Sequence, residues 1–453
     1  MPEKHRVAIT GMGLVLPQGV GLAAAEEVFA GASAVRYLPE LAGVPGATGA
    51  ACLGFAPPAG TEDLDRAVQF AVAAAAEAWD DAGLAGPLHA HPCVSRSRTA
   101  DRPRSAGRER GLSERCVRRP TAHDSGTAYD SASAHGGAPA PDRVATVLSL
   151  SKGPVFALAR RTAGEAGAAG LVDVTPDAAA RTVAARLGLA GPITAPVTAC
   201  ASGGHALVLG AGLIRRGVVD VAIVGAAEAS LHPMIVGSYR RLGLLADAGD
   251  DPATSVRPFS ASRRGFAVGE GAGVLVLESL ASARRRGAEP IALVRGWAGG
   301  CQAARLIDTE PTGETLSHLL RLALARAGTP PQNVDYVHAH GTATVSNDAA
   351  EARAIRAAFG EAAARVSVSS TKGSHGHLLG AATAVELVLT VLAMRRGTVP
   401  PTANLTDPDP QIGLDCTPLT ARRRPIHTAL KIASGFGGQM LAVVLAEPDG
   451  RPA

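Results

Sequence analysis

Two kinds of apolar run alternate along the chain. Short continuous runs that close on glycine read as buried strands, and longer runs with apolar positions three and four apart read as helices. The segment "RVAITGMGLVLPQG" (6–19) is predicted to be a buried strand ending in a glycine turn, and "LDRAVQFAVAAAAEAWDDAGLAG" (64–86) an amphipathic helix stopped by glycine. Strand character resumes at "RVATVLSL" (143–150), and "PDAAARTVAARLGLAG" (176–191) is helical. In "PVTACASGGHALVLGAGLIRRG" (196–217), small residues crowd Cys200 before an apolar helix with Arg215 and Arg216 in its last turn and Gly217 as its stop. The strands "VDVAIVGA" (219–226) and "GAGVLVLESL" (271–280) follow.

The second half repeats the scheme. Strands are predicted at "PIALVRGWA" (290–298), "VDYVHAHGT" (334–342) and "RVSVSS" (365–370), with helices at "TLSHLLRLALARAG" (315–328), "NDAAEARAIRAAFG" (347–360) and "AATAVELVLTVLAMRRG" (381–397). Two closing strands joined by a glycine-rich turn come from "ALKIASGFGGQMLAVVLAE" (429–447). Strands alternating with helices predict an α/β fold with a largely parallel sheet, and the repetition suggests an internally duplicated core.

Composition narrows the class. The chain has 453 residues, 46% of them apolar and only 3% aromatic, so the core is aliphatic and alanine-rich. The start, "MPEKHRVAIT", lacks the apolar stretch of a signal peptide, and no run reaches the roughly 18–20 apolar residues of a membrane span, so a cytoplasmic location is expected. Six widely spaced cysteines without a CxxC pair argue against a disulfide framework.

The formal charge of +4 is local. Residues 89–140 hold nine Arg against five acids, and the remaining sequence is balanced at 35 basic and 35 acidic residues. The basic character therefore says nothing of nucleic-acid binding. The 89–140 segment has almost no periodic apolar pattern and is rich in Arg, Ser, Pro and Gly. It has two readings: a flexible surface insertion, or a reading-frame artefact in a GC-rich gene. His89, His91, Cys93 and Cys116 match no zinc spacing, and no metal site is expected.

Candidate chemistry centres on Cys200. A thiol at a helix start gains from aligned amides, which stabilise the thiolate that attacks a carbonyl and holds an acyl group as a thioester. A free cysteine is otherwise commonly a small buried hydrophobe. Two histidine motifs favour chemistry. "VHAHGTATVSND" puts His340 at a strand end beside Gly341, with Thr342 and Thr344 just beyond, and "SSTKGSHGHLLGAA" brings Lys372, His375 and His377 into a glycine-punctuated loop. Ligands of open α/β sheets collect at the carboxyl ends of strands. The "GMGLVLPQG" stretch lacks the third glycine of the dinucleotide fingerprint.

Taken in order, "RVAITGMGLVLPQG", "TACASGGHAL", "VRPFSASRRGFAVGEGAGVLVLE", "HAHGTATVSND", "STKGSHGHLLGAA" and "SGFGG" resemble the β-ketoacyl-ACP synthases of the thiolase superfamily, of the elongating kind similar to ketoacyl synthase II. The resemblance implies a thiolase-like, internally duplicated α/β/α/β/α layered fold. Its N-terminal half (1–265, with the insertion) would carry the cysteine, and its C-terminal half (266–453) the histidines. It implies decarboxylative condensation of malonyl-ACP with an acyl group on Cys200, with His340 and His377 donating to the enolate oxygen and Lys372 in electrostatic support. Backbone N–H groups of Cys200 and Phe436 would form a second oxyanion hole, Phe436 would gate the acyl pocket, and Thr342 and Thr344 would hold the phosphopantetheine arm. Glu270 and Glu351 match structural positions.

By the same resemblance the partners are acyl carrier protein, acyl and malonyl thioesters, and a second subunit, either an identical copy or a related ketosynthase. No cofactor beyond the phosphopantetheine of the carrier is implied. The family usually has Gly at Ala343, Thr at His375, Asp at Arg264 and "GFGGTN" where this chain has "GFGGQM". Those departures motivate an alternative, a catalytically idle partner of chain-length-factor type. A thiolase-like degradative enzyme is disfavoured because Cys416 lacks the glycine setting of a second catalytic cysteine.

Overall fold

The computed structural model describes residues 5–84, 139–165, 170–303, 306–307 and 309–448. All but the last two residues of the 89–140 segment, including His89, His91, Cys93 and Cys116, lie outside the described residues. Ten of the eleven strands of the main sheet form one continuous run, the eleventh being the short Gly19–Val20 arm on the first: β1 (Val7–Leu16), β2 (Val144–Leu150), β3 (Ile193–Thr194), β4 (Val221–Glu228), β5 (Gly271–Ser279), β6 (Ala292–Cys301), β7 (Tyr336–His338), β8 (Ser367–Ser369), β9 (Thr428–Gly435) and β10 (Gln439–Ala446). Their spatial order is β8-β7-β9-β10-β6-β1-β5-β4-β2-β3.

The duplication is visible in that order. Moving outward from the antiparallel β1–β6 pair, the pairing on each side runs antiparallel, antiparallel, parallel, parallel. The sheet is therefore mixed, parallel only on its flanks, which corrects the expectation of a largely parallel one. Strand-to-helix alternation constrains neighbours that a helical crossover joins, whereas β9 and β10 meet through a tight turn over Phe436–Gly438 and pair antiparallel.

Five helices matter for the site: α1 (Arg66–Asp81), α2 (Ser202–Arg215), α3 (Glu314–Ala327), α4 (Val345–Phe359) and α5 (Ala382–Arg396). Helix α5 is buried from Ala382 to Met394, as its apolar residues on every side require, and it shares one core cluster with α2 and strands of both halves. Helix α1 covers the outer face of the first half, while α3 and α4 cover that of the second. The result is alternating helical and sheet layers, with α2 and α5 in the middle.

Strand β1 shows why the "GMG" glycines are there. A Cβ on Gly11 would meet Ala78 O at 2.2 Å, and one on Gly13 would meet Ala74 O at 1.9 Å. Both lie inside the strand and let α1 press against the backbone, so they form no phosphate loop. Side chains of α1 complete the contact: Asp81 accepts from Met12 N and Glu77 from Leu14 N, at 2.9 and 2.8 Å. Among the described residues, no helix is long and apolar enough to cross a membrane.

Candidate active site

Cys200 sits in a single 3-10 turn (Ala199–Ala201) immediately ahead of α2, so the helix proper starts two residues later than the sulfur. Small neighbours are required by packing. A Cβ on Gly203 would come within 2.6 Å of Ala384 Cβ on α5, and one on Gly204 within 2.5 Å of Leu441 Cδ2 on β10. Ala199 takes φ 49°, a strained value for a non-glycine residue, and Thr383 donates to Cys200 O at 2.8 Å. These contacts hold the cysteine at the junction of the two central helices.

His340 follows the end of β7. Its backbone N–H and that of Gly341 donate to the two oxygens of Glu351 on α4, at 2.6 and 2.8 Å, which fixes the turn after the strand. Gly341 has φ +41°, and a Cβ there would lie 2.5 Å from Ser370 Cβ. His377 is anchored on the other side of the pocket. Its N–H donates to Ala267 O at 2.7 Å, and its carbonyl accepts from Gly269 N at 2.9 Å.

Cys200, His340, His377, Thr342, Thr344 and Phe436 all line one pocket. The two imidazole centroids are 5.6 Å apart with their planes at 81°. Leu379 N–H donates to His377 Nδ1 at 3.3 Å, so the ring proton belongs on Nε2. His340 Nδ1 is buried and has no hydrogen-bond partner among the described residues. Burial, reinforced by the Lys372 charge, holds both rings well below the ordinary histidine range, and each is a neutral N–H donor. Thr342 and Thr344 are paired through their hydroxyls at 2.9 Å.

The thiol differs from the sequence expectation. Burial pushes Cys200 above the ordinary thiol value, opposed first by Lys152 and then by Lys372. A position at the end of a helix does not by itself ionise a sulfur that is only 7% exposed. Lys152 was not anticipated as a site residue. Its ammonium lies 3.1 Å from Ser151 Oγ and 6.0 Å from the ring centre of Tyr239, another pocket residue.

Gly435 brings the last strand pair against the cysteine. A Cβ there would approach Thr198 O at 2.9 Å and Cys200 N at 3.1 Å, so glycine lets the backbones of residues 435–436 and 200 come together. Phe436 stacks obliquely on Tyr239 with centroids 6.2 Å apart. Of the sequence departures, Met440 is buried, His375 is fully buried beneath the site, and Arg264 is exposed in a groove that shares Thr309 and Ser346 with the pocket.

Lys372 lies behind the pocket, fully buried, and donates to His340 O at 2.5 Å and to Glu386 on α5. Lys431 of β9 reaches the same carboxylate as an ion pair at 2.6 Å and donates to Ala339 O at 3.0 Å. All three side chains are 0% exposed. Sequence reasoning missed Glu386 and Lys431. The available signals were a single acid in the apolar run of α5 and the scarcity of lysine, of which the chain has four against forty arginines. Glu270 pairs with Arg66 at 2.7 Å and accepts from Cys52 N, away from the pocket. Cys416 is buried and does not line it. Among the described residues, no cluster of His, Cys, Asp and Glu could hold a metal ion.

Comparison with known proteins places this geometry. Residues 128–283 match the Beta-ketoacyl synthase, N-terminal domain family, and residues 291–406 match the Beta-ketoacyl synthase, C-terminal domain family. The chain is 34% identical over 98% of its length, and 98% of the other's, to the tetracenomycin polyketide synthase ketoacyl synthase alpha subunit of Streptomyces glaucescens. It is 40% identical to 3-oxoacyl-[acyl-carrier-protein] synthase 2 of Synechocystis sp. over 56% of this chain and 61% of that one. Among solved structures, a type II polyketide ketosynthase in complex with its acyl-carrier protein superposes with a TM-score of 0.80 at 28% identity, covering 98% of this chain and 99% of that one. The ishigamide ketosynthase/chain length factor does so with a TM-score of 0.77 at 29% identity, covering 98% and 99%. With both halves matched in order and the cysteine and two histidines meeting in one pocket, the chain belongs to the beta-ketoacyl synthase family of condensing enzymes.

Proposed function

We propose that the protein elongates acyl chains by decarboxylative Claisen condensation of malonyl-ACP with an acyl group carried on Cys200, in fatty-acid or polyketide-type synthesis. The observation that carries this reading is the convergence of Cys200, His340 and His377 on one pocket, the two rings neutral and 5.6 Å apart. The thiol of Cys200 attacks the incoming acyl thioester, loses its proton and releases the carrier thiol. Malonyl thioester then sets its carbonyl oxygen between the Nε2–H groups of His340 and His377, and loss of carbon dioxide leaves an enolate whose charge these donors stabilise. One such donor is worth about 10²–10³ in rate. The enolate carbon attacks the Cys200 thioester, the tetrahedral oxyanion is held by the N–H groups of Cys200 and Phe436, and collapse expels the thiolate, which takes up a proton.

Thr342 and Thr344 suit the pantetheine arm, since both line the pocket and their hydroxyls pair with each other. Phe436 suits a gate between pocket and acyl chamber. The partners are acyl carrier protein and a second subunit, a copy of this chain or a related ketosynthase, in the cytoplasm. The two halves are taken to divide between Ser279 and Ala292, beyond the 265/266 point expected from the sequence, because Gly271–Ser279 completes the first set of five strands.

The test is incubation with an acyl-ACP followed by mass analysis, then malonyl-ACP decarboxylation. An acyl adduct on Cys200, lost in Cys200→Ala with decarboxylation retained and His340→Ala losing decarboxylation, is the expected result. Absence of the adduct in wild type would sink the reading in favour of an idle chain-length-factor-type partner.

A further inference from the structure

Two more histidines lie fully buried beneath the pocket, each two residues before a proposed reactive one: His338 before His340, and His375 before His377. They meet at one hydroxyl. Thr371 Oγ1 is 3.1 Å from His338 Nε2 and 2.8 Å from His375 Nε2. The chain of contacts extends both ways, from His375 Nδ1 to Gly376 O at 2.8 Å, and from His338 Nδ1 to Thr390 Oγ1 at 2.9 Å. Thr390 in turn donates to Glu386 O at 2.6 Å.

The ends of this chain set its directions. Thr390 spends its only proton on the Glu386 carbonyl, so it accepts from His338 Nδ1–H. His338 Nε2 is then an acceptor and takes the Thr371 proton. At the other end Gly376 O can only accept, so His375 carries its proton on Nδ1 and its Nε2 is a second acceptor facing the Thr371 hydroxyl. Burial keeps both rings below the ordinary histidine range, His375 at about 4, so each has one proton to give. Four donor protons serve five contacts, and the one that must be shared is the Thr371 proton, which lies between the Nε2 atoms of His338 and His375.

We propose that Thr371, gripping His338 and His375, is the strut that fixes the separation of the two imidazoles of the decarboxylation site, and that these three are positioning residues. His340 leaves the end of β7 and His377 belongs to the loop after β8, so the two rings come from different elements. An enolate oxygen needs both donors at about 2.7–3.1 Å at once. Thr371 ties the backbone two residues ahead of one ring to the backbone two residues ahead of the other. Lys372, next in the loop, adds a second tie to His340 O. The inference rests on the condensing reading for its consequence, although not for its geometry.

The experiment compares wild type with Thr371→Val, which keeps the shape and removes the hydroxyl, and Thr371→Ser, which keeps the hydroxyl. Three quantities are read on the full chain: acylation of Cys200 by an acyl-ACP, carbon dioxide release from malonyl-ACP, and the His340–His377 ring separation in crystals. For Thr371→Val, decarboxylation should fall about 10²-fold, as a misplacement of about 1 Å can cause. Acylation should stay within about threefold, and the ring separation should leave the wild-type value; Thr371→Ser should restore all three. Should the valine variant not fold, His375→Gln, whose amide oxygen can still accept from Thr371, should decarboxylate far better than His375→Ala at equal acylation. Unchanged ring separation and decarboxylation in Thr371→Val, or acylation and decarboxylation falling together, would overturn the strut. A wild type that forms no Cys200 adduct would instead overturn the condensing reading, and the ring separations would still judge the strut.

Discussion

Replacing Lys431 by methionine probes the buried cluster where its charges fail to balance. Two ammoniums, Lys372 and Lys431, share the single carboxylate of Glu386, and none of the three side chains reaches solvent. Burial draws Lys431 from 10.5 down to about 8, even though Glu386 pulls the other way, and Lys372 adds repulsion. Its folded value lies below its unfolded one, so between about pH 8 and 10.5 the unfolded chain binds more protons and stability rises with pH. Each unit of separation is worth about 1.4 kcal/mol, so keeping this lysine charged costs the fold about 3 kcal/mol below pH 8, a cost that vanishes toward pH 10.5. The Lys431→Met variant carries no such cost, but it forfeits the hydrogen bond to Ala339 O, worth about 1 kcal/mol at any pH. Urea unfolding of both proteins from pH 7.5 to 10.5 at constant ionic strength should therefore show the wild type gaining about 3 kcal/mol relative to Lys431→Met. Parallel stability curves would refute the reasoning, since they would mean that the second ammonium is compensated in the fold.

Other outcomes follow from the same geometry. Because Lys152 is the largest influence opposing burial at Cys200, Lys152→Met should move the inflection of iodoacetamide alkylation further above the ordinary thiol range and slow the reaction at pH 7.5; an unmoved inflection would remove Lys152 from the site. In Gly435→Ala the new Cβ would press on Cys200 N, so acylation should drop by up to about 10²–10³ while malonyl decarboxylation persists, as separate assays of the two steps would show. Burial raises Glu351 to about 7, and its carboxylate accepts the His340 and Gly341 amides. Decarboxylation measured in a Cys200→Ala background should accordingly fall as pH drops through about 7, and Glu351→Gln should be slower and flat there, because the imidazoles themselves stay neutral.

What was legible in the sequence is what short-range physics encodes. The periodicity of 381–397 and its stop at Gly397 gave a helix that the structure contains, and the glycine turn in 429–447 gave a hairpin. Cys200, His340 and His377 were legible because glycine and small residues mark where backbones crowd, and those places lie in the pocket. Less legible was anything decided by a distant partner. The glycines at 11 and 13 look like a turn until the carbonyls of Ala74 and Ala78 are found against them. Lys431, in a strand whose residues 429–433 are all buried, gives no local sign of which carboxylate its ammonium meets, since that group lies forty-five residues earlier in the chain. The thiol shift escaped for a similar reason: helix proximity can be read from sequence, whereas the depth of burial that outweighs it is a property of the whole fold.

The distribution of the two basic side chains completes the electrostatic picture. Forty arginines and four lysines make up the basic residues, yet three of the lysines, Lys152, Lys372 and Lys431, surround the pocket. An arginine brings five donors in a rigid fork and keeps its charge at any accessible pH. Buried behind His340, it would leave donors unpaired and fix two full charges on one carboxylate. Lysine is a point donor on a flexible stem, able to reach single carbonyls such as those of Ala339 and His340. It can also shed its proton, and Lys431, drawn down to about 8, is close to doing so. A second cation beneath the site is tolerable because it is the kind that can become neutral. The arginine-for-lysine exchange that this chain makes almost everywhere else should therefore fail at 372 and 431: Lys431→Arg is expected to be less stable than Lys431→Met, by urea unfolding at pH 7.5, and the reverse order would show that charge at 431 is wanted rather than endured.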